Sequence, residues 1–306
     1  MLSFTKTKTS KIIAKREGKD KFIYIDEDDS KPSLIQSSPQ VKQNQFHSFL
    51  LLDKKINITD TKLLENAFKN DVHAEALPKQ LQRKYQDAID HVNACEKKTL
   101  NFGKEDVIPI IQEESYRIFI SGSTGSGKSY FVGMFLKNNP IKSKEAGIFL
   151  FSPVYDDKSL KDVKDLIHLD LYEVEDQLKH PLTIDDIPIG SILIFDDIES
   201  YQKKEKKMYM EFRDIMLERG RHKKLNIFSI SHNARNGHTT KASIRESGYW
   251  VLFPKHNATD VKKILDLYGG LSRSEIQRIL DMNSRWALFK KSVPKYAIGE
   301  HSVIAF

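Results

Sequence analysis

The sequence predicts an α/β chain in which a mostly parallel central sheet is covered by helices on both faces. Three observations carry that expectation. From about residue 115, apolar runs of five to seven residues alternate with helical stretches. A glycine-rich turn at 122–129 joins one such run to a helix, and another run, at 191–197, ends in two adjacent carboxylates. Runs that are apolar throughout, rather than alternating, suit strands buried on both faces of a parallel sheet.

Taken in chain order, residues 1–57 read as a basic, largely flexible N-terminal extension. Lys6, Lys8, Lys11, Lys15, Arg16, Lys19 and Lys21 crowd its start, Phe22–Ile25 suits one short strand, and the polar stretches 30–33 and 36–40 suit no packed element. Residues 58–110 read as a helical accessory element. Leu63, Leu64 and Phe68 form one apolar stripe, and Leu81, Tyr85, Ala88, Ile89 and Val92 form a second. Asp60 is expected to cap the first helix and Pro78 to open the second. Residues 111–306 carry the main domain. Strands are expected at 117–121, 147–152, 167–171, 191–196, 225–231, 249–253 and 286–290, and helices at 127–138, 158–166, 200–219, 259–268 and 273–282.

The turn Gly122-Ser123-Thr124-Gly125-Ser126-Gly127-Lys128-Ser129 fits the spacing G-x-x-x-x-G-K-[ST]. A chance match in a chain of this length is on the order of one in a hundred at average Gly, Lys and Ser/Thr usage. Its chemistry is dictated by phosphate. Glycines let the loop fold back so that backbone N–H groups converge on one oxyanion cluster, and the following helix adds its positive end. Lys128 would reach the β- and γ-phosphates and the Ser129 hydroxyl would ligate Mg²⁺, with Tyr130 next in the nucleotide-binding set. The expected fold is therefore a P-loop NTPase and the expected cofactors are ATP and Mg²⁺.

The run Ser191-Ile192-Leu193-Ile194-Phe195-Asp196-Asp197 supplies the second half of such a site. In a P-loop fold this strand lies beside the phosphate loop. Asp196 is assigned to Mg²⁺ through water and Asp197 to the attacking water, with Glu199 in reserve for the second role. The strand 225–231 ends at His232 and Asn233, where a polar side chain can touch both the γ-phosphate and the water. No N-K-x-D base-reading segment occurs and no D-E-x-D box follows the phosphate loop, which sets GTPases and many helicases aside.

Composition narrows the partners. The 306 residues carry a net charge of +7, and their pI near 9.1 suggests an anionic partner. Residues 200–224 hold nine Lys/Arg against four Asp/Glu, a basic segment suited to phosphates rather than to bases. A mean hydropathy of −0.49 and the absence of a long apolar run predict no membrane span, and Met1–Lys6 lack a signal core. The single Cys95 excludes an internal disulfide and a cysteine-rich zinc site, and fits a reducing compartment.

In four segments the chain resembles the FtsK–HerA group of DNA-pumping ATPases and, within it, the poxvirus-type genome-packaging ATPases of large DNA viruses. These are GSTGSGKS at 122–129, SILIFDD at 191–197, ERGRHKKLNIFSISHN at 218–233 and SIRESGYWVLFP at 243–254. The likeness spans about 115–270. One departure is that the family's sensor strand ends in Thr-Gln, where Ser231-His232 stand here. The resemblance implies a ring homo-oligomer whose ATP site is completed by a neighbour's arginine, for which Arg219, Arg221 and Arg245 are the candidates. It also implies sequence-independent contact with double-stranded DNA, ATP-driven packaging of a viral genome, capsid proteins as partners, and residence in a virus particle or at its assembly site in the infected cell. Two other readings stay open: a helicase or repair-type ATPase acting on DNA ends, and a nucleotide-gated assembly or scaffold protein.

Overall fold

The computed structural model describes residues 2–19, 21–26, 39–52, 56–97, 99–141, 143–155, 157–232 and 238–306. The central sheet has ten strands. Its parallel half, in spatial order, consists of β11 (Tyr249–Leu252), β6 (Arg117–Ser121), β10 (Asn226–Ser231), β9 (Ile192–Asp196), β7 (Ile148–Phe151) and β8 (Leu166–His168). Beyond β11 the sheet continues antiparallel through β12 (Ala287–Lys290), β13 (Tyr296–Gly299), β14 (Ser302–Ala305) and β4 (Thr99–Asn101). The expected α/β fold with helices on both faces is present.

Alternation along β6 shows how the layers are built. Ile118 and Ile120 pack with Phe131 and Phe135 of α4 (Lys128–Asn138) on one face. Phe119 points the other way, to Trp250 and to Val261, Ile264, Ile276 and Ile279 of α8 (Ala258–Leu267) and α9 (Arg273–Leu280). Next along that face, Tyr209, Phe212 and Met216 of α6 (Lys203–Arg219) cover Leu193 and Phe195 of β9. Burial of both faces is what holds β6 rigid at the centre, and β6 delivers the glycine-rich loop.

Several expectations need correction. Residues 158–165 form consecutive turns, not the helix expected over 158–166, and Leu166 already belongs to β8: Leu160 N–H bonds Asp157 O, Val163 N–H bonds Leu160 O, and Asp165 is left-handed at φ 59°. The apolar residues there recur every three positions, which suits successive i,i+3 turns rather than a 3.6-residue stripe. The strand expected at 167–171 ends at His168, and a helix, α5 (Leu171–Leu178), starts where its last residue was placed, capped by Asp170. In the helical unit α1 (Pro39–Leu52), α2 (Ile58–Lys69) and α3 (Lys79–Lys97) pack around Phe46, Leu64, Tyr85 and Val92. The cap of α2 is Asn57, whose side chain accepts from the Asp60 N–H, so Asp60 sits one turn inside. Leu63 faces outward.

The chain's start also pairs more than expected. β1 (Leu2–Ser3), β2 (Lys11–Arg16) and β3 (Phe22–Ile25) form a four-stranded antiparallel sheet with β5 (Val107–Pro109), in the order β1-β3-β2-β5. Ile13, Ile23 and Ile25 join the main core. Division at residues 57 and 110 cuts across these pairings, because β5 closes the small sheet while β4 closes the large one. The polar stretch at 30–33 lies outside the described residues.

Candidate active site

The glycine-rich loop leaves the C-terminal end of β6 and returns into α4. Gly122 N–H bonds Ser231 O at 3.3 Å, so the loop starts against the end of β10. A Cβ on Gly122 would lie 2.6 Å from Ser126 Oγ and 2.7 Å from the Phe253 ring, a contact no side chain tolerates. Gly127, at φ 101°, turns the chain into α4 in a conformation that side chains resist. The Ser126 hydroxyl is buried with no partner among the described residues, a polar atom kept inside the loop. Tyr130 stands in the first turn of α4, exposed, with the Arg285 guanidinium 5.3 Å from its ring centre.

Lys128 is buried and its ammonium donates to Gly122 O at 2.9 Å and Ser123 O at 3.1 Å. Burial pulls its pKa down, while Asp196 and Asp197 oppose the fall. Asp196 ends β9, where burial pushes its carboxyl up to about 6 against the attraction of Lys128. Asp197 follows in the left-handed conformation at φ 51°, which turns the chain into the short helical turn Ile198–Ser200.

The carboxylate strand does not lie beside the loop strand. β10 stands between β6 and β9, so about 10 Å of sheet separates them. His232, just past β10, fills that gap. Its Nδ1 is 3.1 Å from Lys128 Nζ and 3.4 Å from Thr124 Oγ1, and its Nε2 is 3.1 Å from Asp197 Oδ1. An ammonium only donates and a carboxylate only accepts. These partners therefore assign the neutral tautomer, with Nδ1 accepting and Nε2–H donating. Glu199 accepts from the Ser231 hydroxyl at 3.1 Å, which ties it to the end of β10. Asn233 lies outside the described residues.

The chain's donors for a metal would be one hydroxyl, Ser129, and one carboxylate, Asp196. Among the described residues no group of three or more His, Cys, Asp or Glu could hold an ion. That sparse set fits Mg²⁺, which keeps waters and takes phosphate oxygens, and does not fit an all-protein cage.

The three candidate arginines do not join this site. α6 runs back from the carboxylate edge, so Arg219 and Arg221 lie at the opposite edge, where β10 begins. Arg245, near the end of α7 (His238–Glu246), lies there too, just before β11. Arg221 shares a cleft with Arg117, Glu246 and Tyr249. Phe253, packed against Gly122, and Arg285 were missed as site residues. Phe253 sits where a strand end following β6 in the sheet must meet the loop, but nothing in the sequence marks Arg285.

No protein-family model matches the chain. It is 28% identical over 189 residues to an uncharacterized protein V3 of Sputnik virophage, covering 60% of this chain and 74% of that one. Among solved structures it is similar to the genome packaging NTPase B204 of Sulfolobus turreted icosahedral virus 2, seen with ATP-gammaS. The TM-score is 0.39 at 12% identity, covering 62% of this chain and all of that one. It is also similar to the pCW3 conjugation coupling protein TcpA with ATPgS, with a TM-score of 0.39 at 13% identity, covering 68% of this chain and 66% of the other. The sheet order and the helices on both faces agree with the expected α/β fold, and the structures the chain is similar to include a genome packaging NTPase and a conjugation coupling protein.

Proposed function

We propose that the chain hydrolyses ATP and uses the cycle to move double-stranded DNA, as a genome-packaging translocase. The observation that carries this is that His232 lies within hydrogen-bonding reach of both Lys128 and Asp197, beside the loop, with the half-buried Asp196 electrostatically coupled to Lys128. In this reading the backbone N–H groups of 122–129 and the start of α4 collect the phosphates. Lys128 grips the β- and γ-phosphates, and Ser129 with Asp196 would hold Mg²⁺, which would supply positive charge against the charge that develops on the phosphates. Asp197 orients the attacking water and takes up its proton.

The basic segment of α6 supports contact with DNA. Lys203, Lys204 and Lys207 are exposed at its first turns, immediately after the carboxylates, while Arg213 is buried and bonds Asp214 and Thr239 O. The nine cations of 200–224 therefore divide: one cluster sits at the nucleotide edge and another, Arg219–Lys224, about 25 Å away along the helix. The first cluster is placed to couple the cycle to a phosphate backbone. A ring of copies, capsid partners and residence at a virus assembly site belong to the same reading. No helix among the described residues is long and apolar enough to cross a membrane.

The test is ATP hydrolysis by the purified chain with and without double-stranded DNA. Stimulation by DNA that is lost in Lys128→Ala is expected. Hydrolysis indifferent to DNA would favour a nucleotide-gated assembly protein, and unwinding of a labelled fork would favour a helicase.

A further inference from the structure

An ammonium has three N–H donors. In Lys128 all three are taken inside the chain, by Gly122 O at 2.9 Å, Ser123 O at 3.1 Å and His232 Nδ1 at 3.1 Å. A phosphate-binding lysine so occupied must surrender a partner before it can hold a phosphate. The three partners differ in what their release would do. Gly122 O and Ser123 O belong to the loop itself, and Ser123 O also accepts the Ser126 N–H at 3.2 Å. His232 stands on another strand end, and its second nitrogen holds Asp197 Oδ1 at 3.1 Å. The Thr124 hydroxyl, 3.4 Å from the same Nδ1, is a donor in reach to replace the lysine.

We infer that His232 is a latch on Lys128: the Lys128–His232–Asp197 chain ties the lysine to the carboxylate, and a bound β- or γ-phosphate takes Lys128 from His232 while Thr124 takes its place. Resting on the nucleotide-binding reading above, this makes His232 a positioning residue. It spends phosphate affinity to keep Asp197 in register with the lysine, so that phosphate occupancy is reported to the carboxylate that positions water.

The latch predicts a dependence on phosphate number that a merely structural histidine would not give. His232→Ala removes an acceptor that competes with phosphate. It should bind ATPγS and ADP roughly threefold to tenfold more tightly than wild type, with AMP affinity unchanged because AMP does not draw on Lys128. His232→Gln, whose amide can both accept from Lys128 and donate to Asp197, should return triphosphate affinity to the wild-type value. Fluorescence titration with the three nucleotides reads this directly. Equal or weaker triphosphate binding in His232→Ala overturns the latch, and weaker binding would mean that His232 contacts the phosphate itself. Gain for AMP equal to the gain for ATPγS overturns it too. Independently, ¹⁵N spectra of the imidazoles in nucleotide-free protein should show His232 protonated at Nε2 and bare at Nδ1, with the Nδ1 signal moving when ATPγS is added. The opposite tautomer overturns the latch. Wild-type protein that binds no adenine nucleotide removes the nucleotide reading and the latch together, whereas wild-type binding with an unaltered His232→Ala removes the latch alone.

Discussion

The two edges of the parallel sheet carry different chemistry. At the C-terminal edge stand the glycine-rich loop, Lys128, Asp196, Asp197 and His232, with His232 linking Lys128 to Asp197 and Asp196 acting on Lys128 through its charge. At the N-terminal edge stand Arg117, Arg219, Arg221 and Arg245, exposed or lining an open cleft. A strand of five or six residues, about 17–20 Å, separates them. On the proposed reading one edge would bind a triphosphate, and the other holds the arginines proposed to speed its cleavage. Within a single chain they cannot meet. On the proposed reading, if Arg219, Arg221 or Arg245 completes the site, it would have to come from another copy whose N-terminal edge faces this C-terminal one.

The largest effect expected is therefore at the far edge. Of Arg219→Ala, Arg221→Ala and Arg245→Ala, the one acting in trans should lower turnover by about 10³–10⁵. Mixing that variant with Lys128→Ala should restore part of the activity, because each supplies the edge that the other lacks. Steady-state hydrolysis by the mixture checks this. Turnover per chain that stays constant through dilution to monomer would make the far edge irrelevant to catalysis.

At the near edge two replacements should separate binding from chemistry. Asp197→Asn should keep nucleotide affinity and lower hydrolysis by about 10²–10⁴, the contribution of a placed general base. Lys128→Ala should weaken triphosphate binding itself and lower turnover by about 10²–10³. Equilibrium nucleotide binding measured beside single-turnover hydrolysis distinguishes them. An Asp197→Asn chain that hydrolyses normally would move the water-positioning role to Glu199.

The near edge was legible in the sequence for a physical reason. The parallel strands are buried on both faces, so β6, β9 and β11 appear as largely apolar runs and β10 as one broken only by Ser229, and glycines with left-handed or crowded backbones cannot be replaced. The neighbour relation was less visible. Sequence order puts two strands, 147–152 and 167–171, between the loop strand and 191–197, but in the sheet β10 threads between β6 and β9, and only pairing shows that His232 bridges the gap. The antiparallel half was poorly legible because β13 and β14 are four residues each, end in small residues and leave no stripe. At the start of the chain the lysines of β2 masked the apolar side of its strand, although Ile13 and Ala14 are buried. The position of the arginines was available and went unread. A helix that follows a parallel strand must return to the opposite edge, which puts the end of α6 far from the site.

A smaller effect tests whether the nucleotide edge also touches DNA. Replacing Lys203, Lys204, Lys206 and Lys207 by Gln should remove up to four phosphate contacts. The slope of log affinity against log salt should become shallower by up to about 3–4, with no change in sequence preference. The same replacement of Lys223 and Lys224 should change little. Lys224 is paired with Glu114 at 2.8 Å, and Lys223 donates to Asp185 O at 3.0 Å. Equal slopes for the two variants would remove the distinction between the two ends of α6.

The smallest effect expected concerns the stability of the metal-free protein. Burial raises the Asp196 carboxyl from its ordinary 3.8 to about 6, so the folded chain holds this proton more firmly than the unfolded chain does. Above pH 6 the group is ionised in both states and the folded state bears the desolvation. Between pH 6 and 3.8 the folded chain is protonated first, and that burden disappears as pH falls. Asn carries no such burden at any pH. A full shift of this size corresponds to about 3 kcal/mol, but the carboxylate keeps some contact with water, so a change of about 1–2 kcal/mol is expected. Measured by urea unfolding without metal, wild type should gain that much relative to Asp196→Asn as pH is lowered from 7.5 to 4.5. The offset between the two proteins at pH 7.5 also contains the lost attraction between Asp196 and Lys128, which is why the slope, not the offset, is diagnostic. A difference that is flat with pH would mean that Asp196 is already well solvated or fully neutralised by Lys128, and that the near edge holds no strained carboxylate waiting for a metal.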